Sequence, residues 1–333
     1  MPEHGLCKSL RPSATHLRRW YNCHVSMPKQ KGTATEMLTL RIMTLNLGGG
    51  VKNFSGEPDE TTSKNEALLN LLFQLQPDVL CVQEIAQYTD AEGLKHSMVD
   101  LICNGGEYSF HCYGETLSMK HHMQVKKDLM VNGLFKDWWD WSKGNAVFSR
   151  LPFARLSDPA REGVPRNVPI YQPLRYEGTR DTDPRYVILT RLKRSPFPYL
   201  VNLHLTTLIG ERGEAKEDAI VARAQQLRAE QISQVISLLS ENILQKGLPL
   251  LIAGDFNANP DEPALRLGLG AEHGFVRLAP SNDIPTHPEA GAVDHIYFFP
   301  GSRLQSYSCQ VVASDLAHRI SDHLPVLADV VIE

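Results

Sequence analysis

The chain has 333 residues, 42% of them apolar, with 34 Lys and Arg against 38 Asp and Glu. That length and apolar content suit a well-buried core, in one large domain or two ordinary ones, and the near-balanced charge argues against a general basic coat for nucleic acid. No apolar run has the length of a membrane span. The six scattered cysteines form no C-x-x-C pair, which argues against a disulfide framework and for a reducing, cytoplasmic setting.

The charge is uneven along the chain. Residues 1–37 carry six basic and two acidic side chains, so the remainder is net −8. This segment lacks the apolar core of a secretory signal and reads as a disordered basic extension, with the folded domain expected over 38–333. The first predicted strand is LTLRIMTLN, residues 38–46, followed by the glycines 48–50. A helix is predicted next, with Ser63 and Glu66 at capping-box spacing and Pro77 ending it. PDVLCVQE, residues 77–84, is a continuous apolar run and so a strand covered on both faces. A second helix is expected over 91–102. Further strands are predicted at GNAVFSR, YVILTRL, YLVNLHL, LPLLIAG, VDHIYFF and LPVLADVVI, and a long helix over 217–245 that stops at Gly247. Residues 152–184, with six prolines, read as a long irregular loop. Strands outnumber helices and helices fall between them, which gives an α/β or α+β sandwich.

Polar residues collect where these strands end or begin: Asn46, Glu84, His204, Asp255 with Asn257, Asp294, and Asp322 with His323. Taken singly, each fits a turn, a strand end or a core histidine. Taken together, on two facing sheets, they can converge on one rim. The Glu84 carboxylate and the Asn46 amide oxygen are hard ligands that suit Mg²⁺ or Mn²⁺, with Asp322 as a further oxygen donor. Asp255 can orient or deprotonate a water, Asn257 can donate its amide to a phosphate oxygen, and Asp294 can fix the state of His323. That set is what metal-assisted phosphoester hydrolysis requires.

The motifs MTLNLG, DVLCVQE, VNLHL, GDFNANP, VDHIYF and SDHLPV stand in the order and rough spacing of the endonuclease/exonuclease/phosphatase superfamily, which residues 38–333 resemble. The resemblance implies a four-layer DNase I-like sandwich, two mixed β-sheets flanked by helices, and a divalent-metal-dependent phosphoesterase. It implies that Asn46, Glu84 and Asp322 hold the metal. Asp255 would activate water, Asn257 would position the phosphate, and Asp294 with His323 would bind or protonate the scissile group. His204 matches the histidine of deoxyribonuclease-like members. One departure is Gly48, where abasic endonucleases carry an acidic residue. Expected substrates are phosphodiesters, DNA or RNA among them, with lipid or inositol phosphates as the alternative and a non-catalytic binding module as the reading outside enzymes. The chain is expected to be monomeric. An insert over 111–144 contains His111, Cys112, His121 and His122 in a spacing that matches no zinc pattern. It also contains Trp138, Trp139 and Trp141, which fit either loop packing or a stacking platform for a base or lipid.

Overall fold

Apolar runs with no polar face must be covered on both sides, and such runs form the centre of this molecule. The computed structural model describes residues 36–49 and 58–333. The described elements, in chain order, are β1 (Leu38–Asn46), α1 (Pro58–Leu75), β2 (Val79–Thr89), β3 (Lys95–Ser97), α2 (Met98–Gly105), β4 (Phe110–Ser118), α3 (Lys127–Phe135), β5 (Ser142–Ser149), β6 (Ala154–Arg155), β7 (Asp158–Glu162), β8 (Arg166–Tyr171), β9 (Arg185–Arg191), β10 (Tyr199–His204), α4 (Asp218–Leu239), β11 (Leu250–Asp255), α5 (Pro263–Leu269), β12 (Val276–Arg277), β13 (Asp294–Phe299), β14 (Leu304–Val311), α6 (Asp315–Ile320) and β15 (Val326–Ile332). One mixed sheet runs β14-β15-β1-β2-β5-β4, with β3 on the side of β2. The other runs β12-β13-β11-β10-β9-β8. Leu40, Ile42 and Met43 of β1 and Leu200, Leu251 and Phe298 of the second sheet share one core, which extends outward to Leu68 and Leu71 of α1 and Ile320 of α6. A second core places Ile232 and Val235 of α4 and Leu265 of α5 against the outer face of the second sheet. The layers are therefore helix, sheet, sheet, helix, as the sequence implies. Each fully buried Leu, Ile or Phe in them contributes roughly 1.5–3 kcal/mol.

Several element boundaries differ from expectation. Helix α1 begins at Pro58, so Ser63 and Glu66 lie inside it and do not cap it. The helix expected over 91–102 is instead a β-hairpin followed by α2. Gly93 turns at φ +78°, Lys95–Ser97 pair with β2, and the Ser97 hydroxyl caps α2 by accepting from Asp100 N. The proline-rich 152–184 segment is not all loop. It contributes the β6-β7 hairpin and the edge strand β8, where Pro169 is tolerated because one side of an edge strand has no partner. Strand β14 alternates poorly, with five of its eight residues exposed, and carried no apolar signal. The long helix runs to Leu239 and ends in a π-turn at Ser240–Leu244. The basic extension expected over 1–37 lies almost entirely outside the described residues. No helix among the described residues is long and apolar enough to cross a membrane.

A buried polar bridge fixes the two sheets relative to each other. Asn202 on β10 donates to the carbonyls of Val82 and Ala146 (2.9 and 2.8 Å) and accepts from Gln83 Nε2 (2.7 Å), which also donates to Thr44 Oγ1 (3.1 Å). Neither Asn202 nor Gln83 stands out in sequence, because both sit mid-strand in apolar runs. Asn202→Leu removes three hydrogen bonds and leaves one Gln83 amide N–H and the Val82 and Ala146 carbonyls without that partner. It is expected to lower unfolding free energy by about 3 kcal/mol in urea titration. A loss under about 1 kcal/mol would show that the bridge is not a determinant of sheet packing.

Candidate active site

Strand register assembles the site. His204 ends β10 and is paired in register with Asp255 at the end of β11, and Asp255 is paired in turn with Asp294 at the start of β13. Three neighbouring strands thus present an imidazole and two carboxylates in one row, and all three residues are buried. The first sheet supplies the facing groups. Asn46 Nδ2 donates to Asp255 Oδ2 at 2.9 Å, a contact between residues 209 apart in the chain. The loop before β15 delivers His323. Its Nδ1 lies 2.9 Å from Asp294 Oδ2, and its Nε2 faces Asp255 Oδ2 at 3.8 Å. The backbone N–H of Asn257 donates to Asp255 Oδ1 at 2.8 Å. Asn257 has φ +51°, a left-handed conformation that Asn tolerates.

The electrostatics follow from burial and neighbours. Burial, then the nearby Asp294, push Asp255 upward from the usual carboxylate range, while His323 and the Asn46 and Asn257 donors oppose that shift. Burial pulls His323 down, but Asp294 and Asp255 outweigh it and raise the imidazole to about 10, so it is a cation clamped between two carboxylates. His204 goes the other way. Burial lowers it well below its usual value, and the positive charges of Arg185, Lys143, His323 and Arg212 add to the effect, so it is neutral. Asp294 Oδ1 is buried without a hydrogen-bond partner among the described residues.

The proposed metal-ligand positions converge on the glycine loop after β1. Asn46 Oδ1 accepts from Gly48 N at 2.9 Å. A Cβ at Gly48, where φ is +54°, would lie 3.0 Å from Asp322 Oδ1, and a Cβ at Gly49 would lie 2.0 Å from the Glu84 carbonyl oxygen. The positive φ at Gly48 favours glycine, and a side chain there would require the Asp322 carboxylate to shift slightly. Glu84 sits in a bulge of β2 between Val82 and Ile85 with φ +53°, a conformation that costs roughly 1–3 kcal/mol in a non-glycine residue and aims its side chain away from the ladder. Its carboxylate is 3.7 Å from Lys143 Nζ. Asn46, Glu84 and Asp322 offer oxygen only, at a partly open rim, and that donor set fits a hard divalent cation. Acid and histidine groups able to hold a metal ion are also present as His287, Asp322 and His323, and as Asp255, Asp294 and His323. The histidines and cysteine of the 111–144 insert form no such group among the described residues.

The structure adds residues that the sequence did not single out. His287 Nδ1 accepts from the backbone N–H groups of Glu289 and Ala290 (both 3.1 Å), so its Nε2 carries the proton and faces Asp322 Oδ2 at 3.7 Å. Its ring packs edge-on against His323, with centroids 4.8 Å apart. Arg228 of α4 is buried between Glu211 (2.6 Å) and Glu262 (2.7 Å) and donates to Thr206 O, tying the loop after His204 to the loop after Asn257. Asn257 itself donates its side-chain amide to Leu205 O at 2.9 Å and, more weakly, to Asp255 Oδ2 at 3.4 Å. Trp141 is fully buried and packs with Leu117, Met119 and Met123 while Trp138 and Trp139 pack against them, so the tryptophans hold the insert to the domain. A wide apolar cavity of about 620 Å³ between α4 and α5 holds none of the residues of the rim.

Two facing mixed sheets thus carry a row of acids and histidines along one rim, an arrangement that suits a hydrolase. The chain belongs to the Endonuclease/Exonuclease/phosphatase family, whose model matches residues 43–323. Similar solved structures include a family member from Bacteroides vulgatus (13% identical, TM-score 0.59, covering 89% of this chain and 100% of that one). The human Nocturnin catalytic domain, solved with a bound sulfate anion, is similar too (16%, TM-score 0.58, 90% and 97%). So is a family member from Beutenbergia cavernae (18%, TM-score 0.57, 88% and 72%). No curated protein matches the chain in sequence.

Proposed function

We propose that this protein hydrolyses phosphoester bonds with a divalent metal, Mg²⁺ or Mn²⁺, and that it acts on phosphodiesters in the manner of a nuclease. The observation that carries this reading is the convergence of Asn46, His204, Asn257, Asp294 and His323 on the single buried carboxylate of Asp255. Glu84, Asn46 and Asp322 would hold the metal, which when bound would supply Lewis-acid stabilisation of negative charge on the phosphoryl group. Asp255 orients a water and takes its proton, and its raised proton affinity suits that task. Neutral His204 donates its ring N–H to a non-bridging oxygen, and the Asn257 amide N–H that weakly approaches Asp255 Oδ2 turns to do the same. Cationic His323, fixed by Asp294, offsets charge on the scissile group or protonates the leaving oxygen.

A second substrate class, a phosphoester at a lipid surface, is favoured by one observation. Helix α3 leaves Val131, Leu134 and Phe135 exposed, Phe135 at 84%, on the insert beside the rim strands β4 and β5. A panel assay in Mg²⁺ separates the readings, comparing single- and double-stranded DNA, abasic DNA, RNA, sphingomyelin, inositol phosphates and bis(4-nitrophenyl) phosphate. Turnover is expected on the diesters, lost on chelation and restored by Mg²⁺ or Mn²⁺. Full activity in chelator, or rescue by zinc alone, would remove Glu84 and Asn46 from the metal site.

A further inference from the structure

Among the described residues three arginines are buried, Arg185, Arg191 and Arg228, and the last two have acceptors. Arg228 has two glutamates and a carbonyl. Arg191 donates to the carbonyls of Phe197 and Leu156 and lies over the Tyr199 ring. Arg185, at the start of β9, is only 6% exposed, and no hydrogen bond or ion pair reaches its guanidinium among the described residues. Its Nε is wholly enclosed without an acceptor. An enclosed guanidinium nitrogen without an acceptor is costly, and a guanidinium is suited to hold a phosphate oxygen.

The position of Arg185 is informative. Val187 pairs with Leu203, so Arg185, two residues earlier on the antiparallel neighbour, stands at the same end of the sheet as His204. The row of Asp294, Asp255 and His204 thus gains a fourth strand. Arg185, His204, Glu84, Lys143, Asp183 and Asn145 line one narrow recess there, with an accessible volume of about 10 Å³, room for an oxygen but not for a base or sugar ring. Lys143 comes from the opposite sheet, on β5. Its ammonium is 3.7 Å from Glu84 and 3.6 Å from Asp183, both longer than a tight charge-assisted hydrogen bond, so it is free to turn to a third anion. Two cations face two carboxylates in the recess. Once Glu84 is engaged by a divalent metal, the balance beside His204 becomes positive.

We propose that Arg185 and Lys143 form a subsite for a second anionic group of the substrate, a phosphate attached next to the scissile phosphodiester, and that this selects diesters carrying a terminal phosphate. The inference rests on the hydrolase reading above. Arg185 lies two strand spacings from Asp255, roughly 10 Å, which is too far to share the reacting phosphorus and near enough for a neighbouring substituent. The recess admits a single oxygen of that phosphate, which Arg185 and Lys143 reach from opposite sheets, while the rest of the group stays outside it.

The test compares thymidylyl-thymidine with its 5′-phosphorylated and 3′-phosphorylated forms in Mg²⁺, for the wild type and Arg185→Met. The wild type is expected to favour one phosphorylated form by about tenfold or more in kcat/KM, through KM, and the variant to reduce that ratio to near one. In parallel, millimolar inorganic phosphate should raise the melting temperature of the wild type and not of the variant. The variant without phosphate should melt no lower than wild type, since it loses an unpaired buried charge. Three outcomes would overturn the subsite: a wild type indifferent to the terminal phosphate, an unchanged ratio in the variant, or a variant that melts lower and responds to phosphate as before. If no diester is turned over but phosphate still protects the wild type alone, the subsite stands and the hydrolase reading falls.

Discussion

Asp255→Asn is expected to lower turnover of a simple phosphodiester by on the order of 10³-fold and to leave the protein folded. Asp255 is where the two sheets meet chemically. Its Oδ2 is reached by Asn46 Nδ2 at 2.9 Å, His204 Nε2 at 3.5 Å and His323 Nε2 at 3.8 Å, and its Oδ1 is held by Asn257 N at 2.8 Å. An amide keeps the shape and one acceptor oxygen, but it cannot take a proton from water. It also sets an N–H₂ against the Asn46 amide or the Asn257 N–H, which costs about 1–2 kcal/mol. Removing a buried charge beside Asp294 offsets part of that cost, because Asp294 and burial already disfavour the Asp255 anion. The net change in melting temperature should therefore be a few degrees at most. The measurement is kcat on bis(4-nitrophenyl) phosphate with a thermal melt. A folded variant that keeps a tenth or more of wild-type turnover would show that another group takes the proton.

The parts of this structure that were legible in the sequence are those where one physical demand acts alone. Strand β1 was legible to the residue, because Leu38, Leu40, Ile42, Met43 and Leu45 give it a mostly apolar content that stops at Asn46 and the glycines after it. Asn46, Asp255 and Asp294 could each be a turn or strand-end residue when taken singly; only as a set at strand ends did they suggest the rim where the structure brings them together. What stayed hidden depends on tertiary partners. Asn202 and Gln83 resemble stray polar residues until the sheets are face to face. Arg228 on α4 looks like a solvated helix residue, although two glutamates distant in sequence hold it in the core. The left-handed backbone of Glu84 follows from a bulge against β5 that no local pattern announces. His287 sits in a turn whose role emerges only when its ring meets His323. Edge strands β8 and β14 were hidden for a related reason, since each leaves much of its length exposed and so needs no apolar signal.

The Asp294–His323 pair should behave as one unit. Asp294→Asn and a His323→Ala change are each expected to reduce turnover by about 10²-fold or more, and the double variant by little more than the worse single one. The reason lies in the geometry. Asp294 Oδ2 holds Nδ1 of the ring at 2.9 Å and thereby directs Nε2 toward Asp255 and the rim. Without Asp294 the imidazole loses both its orientation and its strongest source of positive charge; without His323 the Asp294 carboxylate has nothing to orient. His323→Ala also strands two buried carboxylates side by side, a change that can cost about 3–5 kcal/mol, so His323→Gln serves as the companion variant that keeps a polar group in the space. Ser321, whose hydroxyl accepts from His323 N at 3.1 Å and donates to Asp322 at 3.3 Å, shapes the turn without facing the rim, and Ser321→Ala should be mild. Turnover of the two single variants and the double variant, with melts to confirm folding, decides the matter. Losses that multiply across folded variants would mean that Asp294 and His323 act separately. The buried Asp294 Oδ1, which has no partner among the described residues, would then become the place to look for what Asp294 does on its own.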